Sequence, residues 1–228
     1  MPECLRTRPA LARMKTTACI FDLDGTLLDS AEDIAHAVHQ TLLDHNLPVH
    51  SLAEYRSFVG NGMLRLVQRA APTSLPHSAI DELLAATKAR YSTCWAMKTR
   101  AYPGVHEALR FLCENRVAVM VLSNKPDEFT GKMVRYFFPD IPFADIRGQR
   151  EGVPVKPAPD AALEMLRNTG ADRTFFVGDL PVDILTGRGA GTTTIGVTWG
   201  FNPASLAESC PDRTVHSAEE MVAVILGK

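Results

Sequence analysis

The chain has 228 residues, enough for one domain or for one domain that carries an insertion. Hydrophobic residues make up 46% of it and charged residues 22%, as in ordinary globular proteins, which excludes a wholly disordered chain. The formal net charge is only −2, so neither nucleic acid nor an anionic membrane is an expected partner, because both are bound through a strong excess of positive charge.

The five cysteines are widely spaced and include no Cys-x-x-Cys pair. This pattern predicts reduced thiols in a cytoplasmic protein rather than a disulfide framework or a zinc site. No apolar run reaches the roughly 18 residues that a membrane span needs. Residues 1–16 also lack the continuous apolar segment of a secretory signal, and we expect them to form a flexible tail.

Short apolar runs alternate with helical patterns along most of the chain. The first run, residues 17–21, is predicted to be a buried strand that ends in the loop Asp22-Leu-Asp-Gly-Thr26. Further strands are predicted at 117–122, 174–177 and 193–198, and helices at 105–115, at 159–168 and from Ser217 onward. The apolar runs are continuous, which is typical of strands covered on both faces. We predict an α/β fold with a Rossmann-like, doubly wound parallel sheet.

One segment interrupts this alternation. Between Ser30 and Lys98 the sequence shows helix signals and no convincing strand, with capping residues at Ser30 and Ser51 and a long periodic run at 80–97. We therefore predict a small helical domain at residues 30–98. It is inserted into an α/β core that consists of residues 17–29 and 99–228.

Polar side chains follow the predicted strands, and ligands of parallel α/β sheets bind beyond these carboxyl ends. The residues concerned are Asp22 and Asp24 after the first strand, Ser123, Asn124 and Lys125 after the second, Gly178 and Asp179 after the third, and Lys156 and Asp183 at the starts of two helices. We expect carboxylates, a hydroxyl, an amide and ammonium groups to share one edge of the sheet.

This set of groups suits phosphoryl transfer. Acidic groups that share one edge repel one another unless a cation lies between them, and Mg²⁺ prefers such oxygen ligands. A phosphate ester fits as the substrate because Mg²⁺, Lys156 and Ser123 can neutralise or bind its oxygens. Asp22 can attack phosphorus as a carboxylate nucleophile. Asp24 can protonate the leaving oxygen and later deprotonate water.

Each of these residues also has a structural interpretation. Asp-x-Asp-Gly occurs in turns and calcium loops, Ser123 could cap a helix, and Lys156 could be a solvated surface charge. Asp179 and Asp183 could be acids placed at a helix N-terminus by its dipole. An EF-hand loop is excluded because apolar residues follow the glycine, and no Gly-x-x-x-x-Gly-Lys-Ser/Thr motif supports a P-loop enzyme. The joint placement at successive strand ends favours the catalytic interpretation.

Four motifs resemble those of the haloacid dehalogenase (HAD) superfamily of phosphotransferases. They are Phe21-Asp-Leu-Asp-Gly-Thr-Leu-Leu-Asp-Ser30, Leu122-Ser-Asn124, Lys156-Pro157, and Gly178-Asp179 with Asp183. The resemblance implies that Asp22 is the nucleophile and Asp24 the general acid and base. It implies Mg²⁺ ligands from the Asp22 side chain, the Asp24 backbone carbonyl and the Asp179 side chain, with Asp183 in support. The helical insert matches the position of the C1 cap of this superfamily.

Within the superfamily the chain resembles phosphoglycolate phosphatases at residues 58–62, 123–126 and 196–201. The resemblance implies hydrolysis of 2-phosphoglycolate through an aspartyl-phosphate intermediate. Two departures from that pattern, Leu180 and the turn at 186–188, leave other small phosphorylated metabolites open as substrates. The further alternatives are a phosphomutase of the β-phosphoglucomutase type and a non-catalytic binding module.

The predicted substrate-binding residues are Thr26 and Asn124 in the core and Gly60, Asn61, Gly62 and Arg65 in the insert. The two glycines permit a tight turn whose N–H groups can approach an anion. Arg65 follows one turn later and can pair with a carboxylate at the far end of the substrate. The alternative is a solvated Arg65 beside glycines that only separate two helices. We expect the insert to close over the site when the substrate binds. The protein is expected to be a monomer or a homodimer.

Overall fold

The computed structural model describes residues 16–228, so the tail predicted at residues 1–16 lies outside the described part except for Thr16. In chain order the strands are β1 (Thr17–Phe21), β2 (Leu28–Asp29), β3 (Arg100–Ala101), β4 (Val117–Pro126), β5 (Asp145–Gln149), β6 (Arg173–Gly178), β7 (Thr193–Val197) and β8 (Arg213–Val215). The helices are α1 (Ala31–Asp44), α2 (Leu52–Phe58), α3 (Gly62–Ala70), α4 (His77–Cys94), α5 (Val105–Glu114), α6 (Asp127–Phe137), α7 (Asp160–Arg167), α8 (Pro181–Gly189), α9 (Pro203–Glu208) and α10 (Ala218–Leu226).

A six-stranded parallel sheet has the order β5-β4-β1-β6-β7-β8. Strand β1 is central, and its last residue, Phe21, lies opposite Val121 of β4 and Val177 of β6. Because these strands run in one direction, their carboxyl ends share one edge of the sheet. The chain order reverses beside β1, which is where ligands bind in such sheets. The predicted Rossmann-like, doubly wound parallel sheet is confirmed.

Helices cover both faces of this sheet. Cys19 and Phe21 pack into a large cluster on one face, while Ala18 and Ile20 pack with Met165 of α7 on the other. Burial on both faces is the reason that the strand sequences are continuously apolar. Each fully buried large apolar side chain contributes about 1.5–3 kcal/mol, and this packing fixes the loops that leave the strand ends.

The segment between β2 and β3 consists of α1 to α4 and their connections. β2 and β3 pair antiparallel, with Leu28 opposite Ala101 and Asp29 opposite Arg100, so the chain enters and leaves this segment through one short ribbon. Ser51 caps α2 with the capping box that the sequence predicts. The division into a core and a cap at residues 30–98 stays a prediction.

Some details differ from the sequence-based expectations. β5 and β8 escape prediction because β5 carries polar residues and β8 has only three residues. Lys156-Pro157 does not open a helix: these residues lie in a turn, with the N–H of Ala158 donating to Val155, and α7 begins at Asp160. Ser30 precedes α1 but its hydroxyl donates to the Asp24 carboxylate instead of capping the helix. Within residues 16–228 no helix is long and apolar enough to cross a membrane.

Candidate active site

The polar residues at the strand ends line one pocket at the carboxyl edge of the sheet. The pocket measures about 50 Å³, and its polar lining consists of Asp22, Asp24, Ser123, Asn124, Lys125, Lys156 and Asp183. All of these side chains are buried. A buried charge is costly unless it has a partner of opposite charge or a hydrogen-bonding partner. The charged groups of this pocket accordingly lie in contact with one another.

Asp22 and Lys156 form an ion pair at the end of β1. The backbone N–H of Asp22 donates to Val177 of β6, which fixes the residue at the strand end. Lys156 Nζ donates to Asp22 Oδ1 at 2.5 Å and to Asp183 Oδ1 at 2.7 Å. Burial raises the pKa of Asp22 to about 7, with Lys156 opposing this rise and Asp183 adding to it. Burial disfavours the charged form of Lys156, but Asp183 and Asp22 outweigh it and raise the pKa of the ammonium group.

Asp179 lies beside this pair in a tight polar cradle. Its Oδ1 accepts a hydrogen bond from the Thr26 hydroxyl at 3.1 Å, and its Oδ2 accepts one from the N–H of Phe201 at 2.8 Å. Gly25, at φ +97°, allows the close approach, because a Cβ there would lie 2.3 Å from Asp179 Oδ2. Burial, with the nearby carboxylates of Asp183 and Asp22, raises the pKa of Asp179 well above its usual value.

A divalent cation fits among Asp22, Asp179 and Asp183. One carboxylate oxygen of each lies within 4.8 Å of the others, and all three side chains are buried. Lys156 contacts Asp22 and Asp183, whereas Asp179 has no ion pair among the described residues. Burial, together with the neighbouring carboxylates, raises the pKa values of both Asp22 and Asp179, so their charged forms are favoured by a nearby cation. A hard cation with oxygen ligands would supply this positive charge.

Asp24 has its own set of partners on the other side of the pocket. Lys125 Nζ donates to both Asp24 oxygens, at 2.9 and 2.8 Å, and the Ser30 hydroxyl donates to Oδ1 at 2.5 Å. The ammonium group of Lys125 also lies 4.7 Å from the centre of the Tyr91 ring. Burial opposes the charge of Lys125, but the neighbouring Asp24 outweighs it and raises the pKa of Lys125. The two aspartates that follow β1 are thus held by different lysines.

Asn124 joins the core loops to the inserted helices. Its Nδ2 donates to the carbonyl of Gly60 at 2.9 Å and to that of Lys156 at 3.0 Å, and its Oδ1 accepts from the N–H of Lys156 at 2.8 Å. Gly60 has φ +113°, and a Cβ there would lie 2.4 Å from Leu180 Cδ1. The loop at Gly60 therefore rests directly on the core, with one hydrogen bond and one apolar contact.

The roof of the pocket is apolar, unlike its floor. The roof consists of Ile34, Val59, Met63 and Leu66 of the inserted segment, and three core residues, Pro126, Leu180 and Val182, complete the apolar lining. Gly60 and Gly62 also line the pocket, with positive φ angles of +113° and +83°. Asn61 faces the Arg69 guanidinium outside the lining. The segment from Val59 to Leu66 thus presents apolar side chains and backbone to the pocket.

Residues 19–197 match the model of a family described as haloacid dehalogenase-like hydrolase. The chain belongs to this family. It is 35% identical over 194 residues to a phosphoglycolate phosphatase of Pseudomonas putida, covering 80% of this chain and 70% of that protein. It is 31% identical over 215 residues to a phosphoglycolate phosphatase of Mannheimia succiniciproducens, covering 90% of this chain and 96% of that protein. The predictions of the HAD family and of a phosphatase are confirmed.

Solved structures support the same fold. A predicted phosphoglycolate phosphatase from Haemophilus somnus superposes with a TM-score of 0.86 at 27% identity, over 93% of this chain and 99% of that one. A Bacteroides vulgatus protein described as a candidate β-phosphoglucomutase has a TM-score of 0.67 at 21% identity, over 95% of this chain and 93% of that one. The second likeness concerns the fold alone.

The HAD motif residues that the sequence singles out are brought together by the structure. Asp22, Asp24, Ser123 and Lys156 line the pocket, and Asp179 lies beside Asp22. The roles assigned to them stay predictions. The acidic cluster contains the side chains of two predicted ligands, Asp22 and Asp179, together with the supporting Asp183, and the Asp24 backbone carbonyl stays a predicted ligand.

Arg65, like Asn61, is a predicted substrate-binding residue that lies outside the pocket lining. Its side chain is exposed, donates to Gln68 Oε1 at 3.0 Å and is not part of the pocket lining. Its assignment as a substrate reader stays a prediction. Conversely, the sequence analysis gave no role to Lys125. The available signal was its position directly after Ser123 and Asn124, on the strand next to β1.

Proposed function

We propose that this HAD phosphatase hydrolyses 2-phosphoglycolate to glycolate and phosphate in a Mg²⁺-dependent reaction. One observation carries the proposal: Asp22 and Asp24 line the same small pocket, each bound to its own lysine. A nucleophile and a general acid that share one pocket suit attack on phosphorus and protonation of the leaving group. The phosphoglycolate phosphatases among the relatives support the choice of substrate.

In the first step an oxygen of Asp22 attacks phosphorus, and the bond from phosphorus to the ester oxygen breaks. Asp24 donates its proton to that oxygen, so that glycolate leaves as an alcohol. In the second step Asp24 takes a proton from water, and the resulting hydroxide attacks phosphorus and displaces Asp22. Phosphate is released, and both aspartates return to their starting states.

The other pocket residues bind and orient the phosphoryl group. Lys156 carries a positive charge beside Asp22, and the Ser123 hydroxyl lines the same pocket. Asp22, Asp179 and Asp183 would hold Mg²⁺, which when bound supplies positive charge to the phosphate oxygens and keeps Asp22 ionised. The apolar roof, tied to the core through Gly60, excludes bulk water during both steps.

A phosphomutase remains the second candidate, because it would use the same two aspartates and return the phosphoryl group to a sugar. Phosphate release from 2-phosphoglycolate, hexose phosphates and an aryl phosphate, measured with Mg²⁺ and with a chelator, separates the two functions. The proposed phosphatase releases phosphate without an activator and prefers 2-phosphoglycolate. An isomerised sugar phosphate formed only with a bisphosphate activator would contradict it. The cytoplasmic location predicted from the cysteine pattern stays part of the proposal.

A further inference from the structure

A substrate with two anionic ends needs two cationic groups in this pocket. In 2-phosphoglycolate the phosphoryl group and the carboxylate are separated by only one oxygen and one methylene group, so both lie within this one pocket when the substrate is bound. A carboxylate buried without a partner is costly, and the residues that line the roof offer no charge to it. Arg65, which the sequence analysis predicts to bind the substrate carboxylate, is not among the residues that line the pocket.

The pocket lining contains two cationic side chains, Lys125 and Lys156. Lys156 is committed to the phosphoryl end, because it bonds the proposed nucleophile Asp22 and Asp183 of the acidic cluster. Lys125 is attached to Asp24, on the side of the leaving group that Asp24 protonates in the proposed mechanism. The end of the substrate that leaves with the ester oxygen therefore lies toward Lys125.

The position of Asp24 does not depend on Lys125 alone. The Ser30 hydroxyl donates to the same carboxylate at 2.5 Å, from the start of the inserted segment. An ammonium group has three N–H donors and can serve two anions at once. Asp24 balances the charge of Lys125, and the ammonium group also lines the pocket, where a second anion can reach it.

We propose that Lys125 binds the carboxylate of the substrate and thereby selects 2-phosphoglycolate over uncharged phosphate esters of the same size. This inference rests on the proposed function. It places recognition of the substrate carboxylate in the core, whereas the sequence analysis predicts it for Arg65 in the inserted segment. Lys125 shares its donors between Asp24 and the substrate carboxylate in a charge-assisted pair. The phosphoryl group is held independently by Lys156 and the acidic cluster.

The test compares kcat/KM for 2-phosphoglycolate with that for 2-hydroxyethyl phosphate, which replaces the carboxylate with a neutral hydroxymethyl group. Lys125→Met removes the charge at similar volume, and Lys125→Gln keeps a donor for Asp24. Ser30→Ala is the matched control, since it removes the other side-chain donor to Asp24 and no charge. The ratio of the two kcat/KM values does not depend on the fraction of enzyme that is folded.

Both Lys125 variants are expected to lose the preference for 2-phosphoglycolate by roughly tenfold to hundredfold, as for one charged hydrogen bond, while Ser30→Ala lowers both activities and keeps the ratio. Equal losses on both substrates in the Lys125 variants would overturn the inference and leave Lys125 as a residue that only positions Asp24. If both Lys125 variants fail to fold, a wild-type enzyme with no preference for the carboxylate ester would overturn it as well. Wild-type enzyme inactive on 2-phosphoglycolate but active on other esters would instead refute the proposed substrate.

Discussion

The floor and the roof of the pocket are built in opposite ways. The floor carries buried charges from four core segments, and each has a specific partner, as in the pairs of Lys156 with Asp22 and Lys125 with Asp24. The roof carries apolar side chains of α1 and α3 and the backbone of the loop at Gly60. Under the proposed function, the floor breaks the ester bond, and the roof fits the substrate and excludes bulk water.

The two regions meet where the inserted segment reaches the core loops, as in the hydrogen bond from the Ser30 hydroxyl to Asp24. Asn124 reaches from the floor to the Gly60 carbonyl, and Leu180 packs against the same glycine. Substitutions in the floor should therefore abolish the reaction and leave the packing of the roof on the core intact. Changes at the contact should weaken activity without removing any reacting group.

The largest expected effect comes from Asp22→Asn. Asparagine is nearly isosteric but cannot act as a carboxylate nucleophile, so turnover should fall by more than about a thousandfold. The fold should survive because Lys156 keeps its bond to Asp183. Phosphate release measures the loss and circular dichroism checks the fold. Asp81→Asn, at an exposed site on α4, serves as the control, and activity of Asp22→Asn within tenfold of wild type would remove Asp22 as the nucleophile.

Removal of divalent metal should abolish activity almost as completely, while the apolar core keeps the protein folded. Mg²⁺ added back should restore phosphate release. Full activity after exhaustive chelation would contradict a metal site among Asp22, Asp179 and Asp183. Wild type should also be stabilised thermally by Mg²⁺, whereas Asp179→Asn should respond less.

The same acidic cluster makes the stability of the metal-free protein depend on pH. The pKa of Asp22 is raised from 3.8 to about 7, so in the folded state it holds a proton that the unfolded chain has released. Between these two pH values the folded state binds more protons, and stability falls as pH rises. The melting temperature of chelated protein should therefore drop between pH 5 and pH 8, and excess Mg²⁺ should reduce this drop. A melting temperature that rises over this range would contradict the raised pKa.

The floor could be predicted from the sequence far better than the roof. Apolar runs mark the strands, and parallel strands bring Asp22, Ser123 and Asp179 to one edge whatever the helices do. The pairing of Lys125 with Asp24 could not be read in this way, because it depends on side-chain direction beyond the strand end. Ser30 likewise has the sequence of a helix cap, but its hydroxyl donates to Asp24 in the loop after β1.

The roof depends on how helices pack on the core, which no local pattern encodes. The glycines at 60 and 62 do predict a tight turn, and both have positive φ. Which side chains of the following helix face the pocket depends on its rotation: Met63 and Leu66 face it, and Arg65 does not. The contact of Leu180 with Gly60 also joins residues that are far apart in the chain.

A moderate effect is expected where floor and roof meet. Gly60→Ala places a Cβ 2.4 Å from Leu180 Cδ1, so either the Leu180 side chain or the loop must shift, and kcat/KM should fall by roughly tenfold to hundredfold. Gly152→Ala is a matched control, because Gly152 also has positive φ but nothing lies within 4 Å of the added Cβ. The double variant Gly60→Ala with Leu180→Ala should recover part of the activity. Equal losses in the two single glycine variants would show that backbone strain, and not the contact with the core, causes the effect.

The smallest effect on substrate preference is expected from Arg65→Ala. This variant tests whether the carboxylate of the substrate is bound by the inserted segment or by the core. Arg65 is exposed and bonded to Gln68, so its loss should change the preference for 2-phosphoglycolate over 2-hydroxyethyl phosphate by less than about threefold. Gln68→Ala, which removes the partner of Arg65 and no charge, is the control for local damage to α3. A selective tenfold loss for 2-phosphoglycolate in Arg65→Ala, with the ratio unchanged in Gln68→Ala, would mean that α3 turns its charged side toward the substrate when the site is filled. The roof would then share in recognition of the anion, and the contrast between an apolar roof and a charged floor would not extend to substrate binding.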